Sequence, residues 1–495
     1  MKKLCIVDST CTKANYCKIL NSCKDKYEIV RNYLDADYII FPFCNNSDSM
    51  IEIMKGNLKA IVKSKKPDAK IIVTGCITYS KDEKKAFLND YPIDYIVPMN
   101  NQVEDICNIL DVKNTDNPYD EYGIIGKVII GDGCLNKCSF CRIHYSNRPL
   151  KSRPIEEIVA EVKKLVSNGV KIINLVAFNT AQYGIDLYEK QMLHEVLKEI
   201  SKIEGIENIN VESVSLSDMY DNLMEELKSN DLVTGVSIDI QSGSDRILKL
   251  MNVGHSVSDI KRVYEELSDK MSFTRIISGF PTETIDDVQE TISLLDSLDI
   301  KNIDVCDYRN SEGVPSSKLP QLSDEEKKVH FEMYNEEVEK KEKEFYIKNN
   351  NKLFAGRIYA FADGVIKIYI PNKVEYESIP IKQNYFDINL NDVIQVRLVN
   401  GEFEYVKTIQ KSDRKTYSPN YSNRQLIEYL TNLNRITSQF ALTSYKLREI
   451  FSDIYAWYDN VSNTKEEFYD AIESEPDAFK NALKLFYDQN HDEKN

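Results

Sequence analysis

The sequence predicts an α/β protein with four parts: an N-terminal parallel sheet, a partial (β/α) barrel, a small β-barrel and a helical C-terminal extension. Two observations support this prediction. Up to about residue 345, short apolar, β-branched runs alternate with helix-compatible sequence, as in parallel sheets with helical crossovers. Beyond it, short alternating strands and then a helical periodicity replace this pattern. A chain of 495 residues is long enough for several such domains.

Residues 1–115 are predicted to form the first domain, a parallel sheet. Its strand-like runs, each followed by polar sequence, are Leu4–Asp8, Tyr38–Phe43 and Ile71–Thr74. One cysteine comes just after each run: Cys11, Cys44 and Cys76. Because open parallel sheets bind ligands outside the carboxyl ends of their strands, these cysteines are expected to share one ligand. The alternative is that they are small buried hydrophobic residues, as free cysteines often are.

A polar, proline-containing linker, Asn114–Tyr122, precedes a second domain predicted over residues 120–345. Its repeated β–α units predict a complete or partial (β/α) barrel, in which the active site lies on the loops after the strands. The first strand-like run is Lys127–Ile130, and the helix Ser152–Ser167 is amphipathic. The loops with informative residues are Cys134–Cys141, Asn179–Asp186, Gln241–Asp245 and Gly279–Glu283.

The remaining sequence predicts two smaller parts after a charged helix. Asp324–Lys348 is dense in charge, which is typical of a solvated helix. Residues 350–411 are predicted to form a small β-barrel from short alternating strands. Residues 412–495 are predicted to be a helical extension. This extension is either an appendage that buries its own apolar faces or a docking element for a protein or peptide substrate.

The run Gly133–Cys141 holds three cysteines, Cys134, Cys138 and Cys141, in a C-x3-C-x2-C pattern. Three thiolates can hold three irons of a 4Fe–4S cubane and leave the fourth iron open. A radical S-adenosylmethionine (SAM) enzyme binds SAM at such an iron and cleaves it reductively. The alternative is a closed zinc site with His144 as the fourth ligand, since three cysteines and one histidine are a common zinc ligand set.

The composition narrows the class of partner. The net charge is −16 and the pI is near 5.1, which discourages non-specific binding to polyphosphate without excluding a local basic patch. Eleven cysteines without an export signal indicate metal or redox chemistry rather than disulfides. No apolar run approaches the roughly 20 residues that cross a membrane. We therefore expect a cytoplasmic protein with no membrane partner.

In these features the chain resembles the radical SAM methylthiotransferases, which add a methylthio group to tRNA bases or to a ribosomal protein. The resemblance covers about residues 1–410. Besides the two cysteine sets, the matching motifs are Ser152–Pro154, Asn179–Asp186, Gln241–Ser244 and Gly279–Thr284. The small β-barrel, Phe354–Gln410, stands where this family has its TRAM domain, a substrate-recognition module.

The resemblance implies SAM and two 4Fe–4S clusters as cofactors. The matching ligands are Cys134, Cys138 and Cys141 for the SAM-cleaving cluster and Cys11, Cys44 and Cys76 for an auxiliary cluster. A 5′-deoxyadenosyl radical would remove hydrogen from an unactivated C–H bond, the auxiliary cluster would supply sulfur, and a second SAM would methylate it. The residues expected to bind SAM, although each also fits ordinary turn chemistry, are Phe140, Asn179, Gln241, Ser242, Ser244 and Gly279.

Several positions depart from the family pattern and leave the substrate open, among them His144, Phe178 and Val253. The run Asn179–Asp186 looks closer to the protein-modifying branch. Residues 352–411 hold eight Lys or Arg against seven Asp or Glu, a net charge of +1 that predicts weak binding to polyphosphate. A protein or peptide side chain is therefore the preferred substrate, and a tRNA adenosine is the alternative.

Two further interpretations stay open at this point. One is a non-catalytic metal-cluster protein that binds RNA or peptide. The other is a radical SAM enzyme that only methylates its substrate or only cleaves SAM. The methylthiotransferase interpretation also implies two partners besides the substrate, a reductant such as flavodoxin or ferredoxin and a sulfur donor.

Overall fold

The computed structural model describes most of the chain and confirms the predicted fold class. Its described residues are 1–7, 13–30, 33–44, 48–75, 91–97, 101–115, 124–145, 149–311, 313–362, 365–372, 375–380, 391–412 and 464–473. They form two parallel sheets, a two-stranded ribbon and an antiparallel sheet. None of the described helices is long and apolar enough to cross a membrane.

The N-terminal sheet has five parallel strands in the order β2-β1-β3-β4-β5. Apolar side chains cover both of its faces, as a parallel sheet requires, with Ile39 and Val73 on one side and Leu4 and Ile40 on the other. The strands are β1 (Lys2–Ile6), β2 (Tyr27–Ile29), β3 (Tyr38–Phe43), β4 (Lys70–Gly75) and β5 (Tyr95–Val97). The described helices are α1 (Lys13–Cys23), α2 (Asp48–Ser64) and α3 (Gln102–Ile109).

Strands β3 and β4 end side by side, because their last residues, Phe43 and Gly75, are register partners. Cys44 directly follows Phe43 and is half-buried. Gly75 has a φ of +101°, and a Cβ there would lie 2.4 Å from the Phe43 carbonyl oxygen, so this strand end requires glycine. The other two cysteines of the predicted auxiliary set, Cys11 and Cys76, lie outside the described residues.

The second sheet is a partial barrel of six parallel strands in the order β13-β12-β11-β10-β9-β6. Its strands are β6 (Ile125–Ile129), β9 (Ile172–Val176), β10 (Asn208–Val211), β11 (Val233–Ser237), β12 (Met271–Ser278) and β13 (Asn302–Asp307). The helices of this region are α4 (Arg142–Tyr145), α5 (Ile155–Ser167), α6 (Ile185–Tyr188), α7 (Leu193–Ser201), α8 (Asp221–Ser229), α9 (Asp245–Met251), α10 (Val257–Glu266) and α11 (Ile285–Ser297). Their apolar faces pack with the strands into the largest core cluster.

The amphipathic helix predicted from Ser152 begins at Ile155 instead. Ser152 is part of a short ribbon in which β8 (Lys151–Ser152) pairs with β7 (Gly131–Asp132). Pro154 then precedes the first helical residue. The ribbon keeps the chain extended up to Pro154, and the first apolar position of the helical pattern, Ile155, is the first residue of the helix.

A long helix connects the barrel to the antiparallel sheet. This helix, α12 (Asp324–Lys348), starts with a capping box between Ser323 and Glu326. The five-stranded sheet that follows has the order β16-β15-β14-β17-β18. Its strands are β14 (Leu353–Ala362), β15 (Val365–Ile370), β16 (Glu375–Pro380), β17 (Val393–Val399) and β18 (Glu402–Gln410). Of the predicted C-terminal extension, the described residues include α13 (Lys465–Ala471).

The antiparallel sheet packs against the amino ends of the barrel strands. The Tyr369 hydroxyl, on a side chain 1% exposed, donates to Asn210 Oδ1 at 2.8 Å and lies 3.3 Å from Thr234 Oγ1. Two ion pairs also cross this boundary, Arg357 with Glu207 and Lys301 with Glu377. The sheet therefore covers the end of the barrel opposite to the loops that follow the strands.

Replacing Tyr369 by Phe tests this contact. Loss of the hydroxyl leaves the buried Asn210 acceptor without its donor, which we expect to cost about 1–3 kcal/mol of stability. The matched control is Tyr405→Phe on the same sheet, whose hydroxyl lies 3.0 Å from Thr408 in a part-buried position. Thermal denaturation should show a clearly lower midpoint for Tyr369→Phe than for the control, and equal midpoints would contradict the assigned contact.

Candidate active site

The cysteine loop follows β6 at the carboxyl edge of the barrel, and hydrogen bonds to other loops hold it in place. Ser139 donates its backbone N–H to the Met251 carbonyl at 2.7 Å, and its own carbonyl accepts from Ser316 N at 3.0 Å. Asn252 Nδ2 donates to the Lys137 carbonyl at 2.8 Å. These partners are far apart in sequence, so the loop takes its shape only in the folded barrel.

The three thiols of this loop are half-buried and close enough to affect one another. Burial, together with the neighbouring Cys141 and Cys134, raises the pKa of Cys138 to about 12. Burial also raises the pKa of Cys134, against hydrogen bonds from Asn136 and Asn179 that lower it. Three mutually repelling thiolates in a poorly solvated place need bound cations, so this donor set fits a thiolate-ligated cluster.

A cubane takes each thiolate on a different iron, so its three cysteines need not meet at one point. Among the residues that the structure describes, no three His, Cys, Asp or Glu side chains converge on a single metal-ion position. The side chain of His144, the fourth ligand of the zinc alternative, lies outside the described part.

Asp218 joins the cysteine loop to the loop after β9, and it is not among the site residues predicted from the sequence. Its Oδ2 accepts hydrogen bonds from Asn179 Nδ2 at 2.7 Å, Asn136 Nδ2 at 2.9 Å and Gln182 Nε2 at 3.2 Å. Gln182 also accepts from the backbone of Leu135 at 2.8 Å. A single carboxylate thus orients three amides around the first cysteine. No motif marked Asp218, because the three amides it binds are 36 to 82 positions away.

Two of the predicted SAM residues lie beside the cysteines. Asn179 is 3% exposed, and its Oδ1 accepts from Ser215 N at 3.3 Å while its amide faces Asp218 and Cys134. Phe140, within the cysteine loop, packs against the barrel core. That both bind SAM stays a prediction.

Gln241 has the clearest mark of a ligand-binding residue. Its φ is +67°, which non-glycine residues rarely adopt. Its backbone holds this position, with the N–H donating to Arg275 O at 3.0 Å and the carbonyl accepting from Ile277 N at 2.9 Å. Its buried Oε1 has no hydrogen-bond partner among the described residues, and neither has the Ser278 hydroxyl at the end of β12. Buried polar atoms rarely go unpaired, so both fit contacts with a bound molecule.

Ser242 and Ser244 face helix α11 instead of an open site. Ser242 Oγ lies 3.3 Å from Thr291 Oγ1, and Ser244 Oγ donates to Asp287 Oδ1 at 2.8 Å. A Cβ on Gly243 would lie 2.5 Å from the Thr291 Cα, so the turn can pack this closely only with glycine. The structure places both hydroxyls in contacts that position Gln241, and their predicted binding of SAM stays a prediction.

Gly279 belongs to a second fixed turn. Its φ is +73°, and its N–H donates to Glu283 Oε2 at 2.8 Å. Glu283 is 4% exposed and is also bound by helix α12, with His330 Nδ1 at 2.9 Å and the Tyr334 hydroxyl at 3.0 Å. This contact attaches the turn after β12 to the long helix. Gly279 remains a predicted SAM residue.

The fold and the site define a radical SAM enzyme. The sequence profile described as the radical SAM superfamily matches residues 128–295. The solved structures similar to this chain include the radical SAM methyltransferase TsrM from Kitasatospora setae, which has cobalamin and a 4Fe–4S cluster bound. The two chains are 13% identical with a TM-score of 0.47, and the match covers 64% of this chain and 77% of TsrM.

Two relatives that match most of the chain identify its family within this superfamily. The ribosomal protein uS12 methylthiotransferase RimO of Thermosipho africanus is 30% identical over 406 residues, which cover 75% of this chain and 94% of the relative. The protein of the same name from Clostridium kluyveri is 30% identical over 446 residues, covering 80% of this chain and 95% of the relative. The chain belongs to the radical SAM methylthiotransferase family. It is a transferase whose cofactors are SAM and two 4Fe–4S clusters.

Replacing Asp218 by Ala should weaken SAM binding on the order of tenfold, because three amides, two of them on buried side chains, then lose the acceptor that orients them. The change spares all cysteines, so iron content should stay at the wild-type level. The control is Ser217→Ala, which removes an exposed hydroxyl 3.3 Å from the same carboxylate. Equilibrium dialysis of reconstituted protein against labelled SAM measures the effect. Equal affinities in the two variants would contradict the role given to Asp218.

Proposed function

We propose that this enzyme inserts a methylthio group into a side chain of ribosomal protein uS12. The observation that supports this most is the long match to enzymes named for that substrate, which covers 75% and 80% of this chain and 94% and 95% of the two relatives. The partners we propose besides uS12 are a flavodoxin or ferredoxin as reductant and a sulfur donor, in the cytoplasm.

The charges of the antiparallel sheet favour a protein over tRNA. Two of the eight basic residues in 352–411 are already paired. Arg357 is 8% exposed, pairs with Glu207 of the barrel and donates to the Asn391 carbonyl at 2.6 Å. Lys411 lies 3.6 Å from the buried Asp392. Cations that are already paired contribute little to the phosphate contacts from which nucleic-acid affinity mainly comes. This sheet is therefore a poor electrostatic surface for tRNA.

The two cysteine sets have separate proposed roles in the reaction. We assign Cys134, Cys138 and Cys141 to the SAM-cleaving cluster and Cys11, Cys44 and Cys76 to the auxiliary cluster. When bound, the clusters and SAM supply a carbon-centred radical, a sulfur atom and a methyl group.

Other residues position the groups that take part in this reaction. Asp218 orients the amides beside the cysteines. Gln241 offers SAM its side-chain oxygen Oε1, which has no hydrogen-bond partner among the described residues. Tyr369 helps to hold the antiparallel sheet against the end of the barrel opposite to the site.

Intact-mass analysis of uS12 tests the proposal. After incubation with reconstituted enzyme, SAM and a reductant, uS12 should gain about 46 Da, whereas methylation alone would add about 14 Da, by the atoms of the transferred group. A gain of 14 Da or no gain would contradict the proposal. Incubation of tRNA in parallel, with nucleoside analysis, tests the alternative substrate.

Two cysteine variants test the division of labour between the clusters. Cys138→Ala should abolish 5′-deoxyadenosine formation, because the SAM-cleaving cluster loses a ligand. Cys76→Ala should leave SAM cleavage intact and stop sulfur insertion. Methylthiolated uS12 from the Cys76 variant would show that the auxiliary cluster has been given the wrong role.

A further inference from the structure

Three charged side chains join the N-terminal domain to the barrel. Lys18 Nζ of α1 lies 3.1 Å from Glu161 Oε2 of α5, and Arg153 NH2 lies 2.8 Å from the same oxygen. Lys18 is 9% exposed and Glu161 7% exposed, so solvent ions screen this contact little. A shift of α1 along α5 that kept the interface closed would leave the buried Lys18 ammonium without its carboxylate, which is strongly unfavourable. The contact therefore fixes one relative position of α1 and α5.

On the barrel side, Arg153 connects this contact to the strand that leads into the cysteine loop. Its NH1 donates to the Ile129 carbonyl at 2.7 Å, and its backbone N–H donates to the Ile130 carbonyl at 2.9 Å. Its own carbonyl accepts from the Tyr183 hydroxyl at 2.6 Å. Ile129 is the last residue of β6, and Cys134 follows it by five positions. A shift of Arg153 would thus move the base of the cysteine loop.

On the N-terminal side, helix α1 is connected to the segments that carry the other cysteines. The helix begins two residues after Cys11. Its Asn15 donates to Gln102 Oε1 at 2.8 Å, and Gln102 Nε2 donates to Thr74 Oγ1 at 3.0 Å. Thr74 is in β4, two residues before Cys76. A path of polar contacts therefore runs from the end of β4 through α1, Lys18 and Glu161 to the end of β6.

We propose that Lys18 is a positioning residue, which through Glu161 and Arg153 sets the place of the auxiliary-cluster cysteines relative to those assigned to the SAM-cleaving cluster. This inference rests on the proposed function, because methylthio transfer needs both cysteine sets to act on one substrate atom. A misplacement of about 1 Å can cost on the order of 100-fold in a reaction that depends on orientation. A shifted N-terminal domain should therefore let SAM be cleaved without sulfur being inserted.

Lys18→Met is the sharpest variant, since it removes the charge, keeps a long apolar side chain and leaves the Arg153–Glu161 pair in place. Lys18→Arg keeps the charge. The matched control is Lys55→Met, which breaks a surface pair with Glu52 inside helix α2 of the same domain. The ratio of methylthiolated uS12 to 5′-deoxyadenosine released should fall about tenfold in Lys18→Met and stay within about twofold in the other two variants. Total SAM cleavage should change less than about twofold in all three.

Hydrogen–deuterium exchange of the reconstituted proteins without substrate gives a second measurement, which does not depend on the identity of the substrate. Lys18→Met should exchange faster than wild type in Lys13–Cys23 and Ile155–Ser167, and Lys55→Met should not. Unchanged exchange in Lys18→Met would overturn the proposal. Faster exchange with an unchanged product ratio would also overturn it, because the contact would then be only structural.

The two measurements distinguish a failure of the positioning role from a failure of the proposed function. If wild-type enzyme forms 5′-deoxyadenosine but never methylthiolated uS12, the proposed function fails. The positioning role is then overturned with it, even if exchange responds to Lys18→Met. If wild-type enzyme forms the product and Lys18→Met behaves like Lys55→Met, only the positioning role fails.

Discussion

The proposed SAM-cleaving site depends on keeping three thiols together on a loop that has little regular secondary structure of its own. A parallel barrel makes this possible because all of its strands end at one edge, and the loops there can hold one another. Ser139 and Lys137 of the cysteine loop are bound by Met251, Asn252 and Ser316, which follow later strands. The arrangement of the thiols is therefore a property of the folded barrel and not of the loop.

The same principle explains why hydrogen bonds between side chains surround the site. Asp287 caps helix α11 through Thr284 and also binds Ser244 and Arg246. Burial alone would raise the pKa of Asp287, but the hydrogen bonds from Arg246, Thr284 and Ser244 outweigh it and hold the pKa well below its usual range. Asp287 therefore stays ionised and keeps the turn that carries Gln241 against its helix. Glu283 likewise holds the turn of Gly279 against helix α12 through its contacts with His330 and Tyr334.

The sequence was sufficient for features with a local signal. The alternation of strands and helices predicted two parallel sheets, and the spacing of Cys134, Cys138 and Cys141 predicted thiols that lie near one another. That these thiols share one cluster stays a prediction. Features that depend on distant residues could not be predicted. Lys18 and Glu161 are 143 positions apart, and Tyr369 meets Asn210 across 159 positions. The direction in which Ser242 and Ser244 point could not be predicted either, because it depends on how closely helix α11 approaches Gly243.

Iron analysis of anaerobically reconstituted protein tests the central claim, that two separate sets of three cysteines each hold a cubane. The account predicts about eight irons per chain, and about four after Cys134, Cys138 and Cys141 are replaced together by Ala. Replacing Cys11, Cys44 and Cys76 together should also leave about four irons, with SAM cleavage retained. Zinc in place of iron, or loss of all iron from either triple variant, would contradict the account.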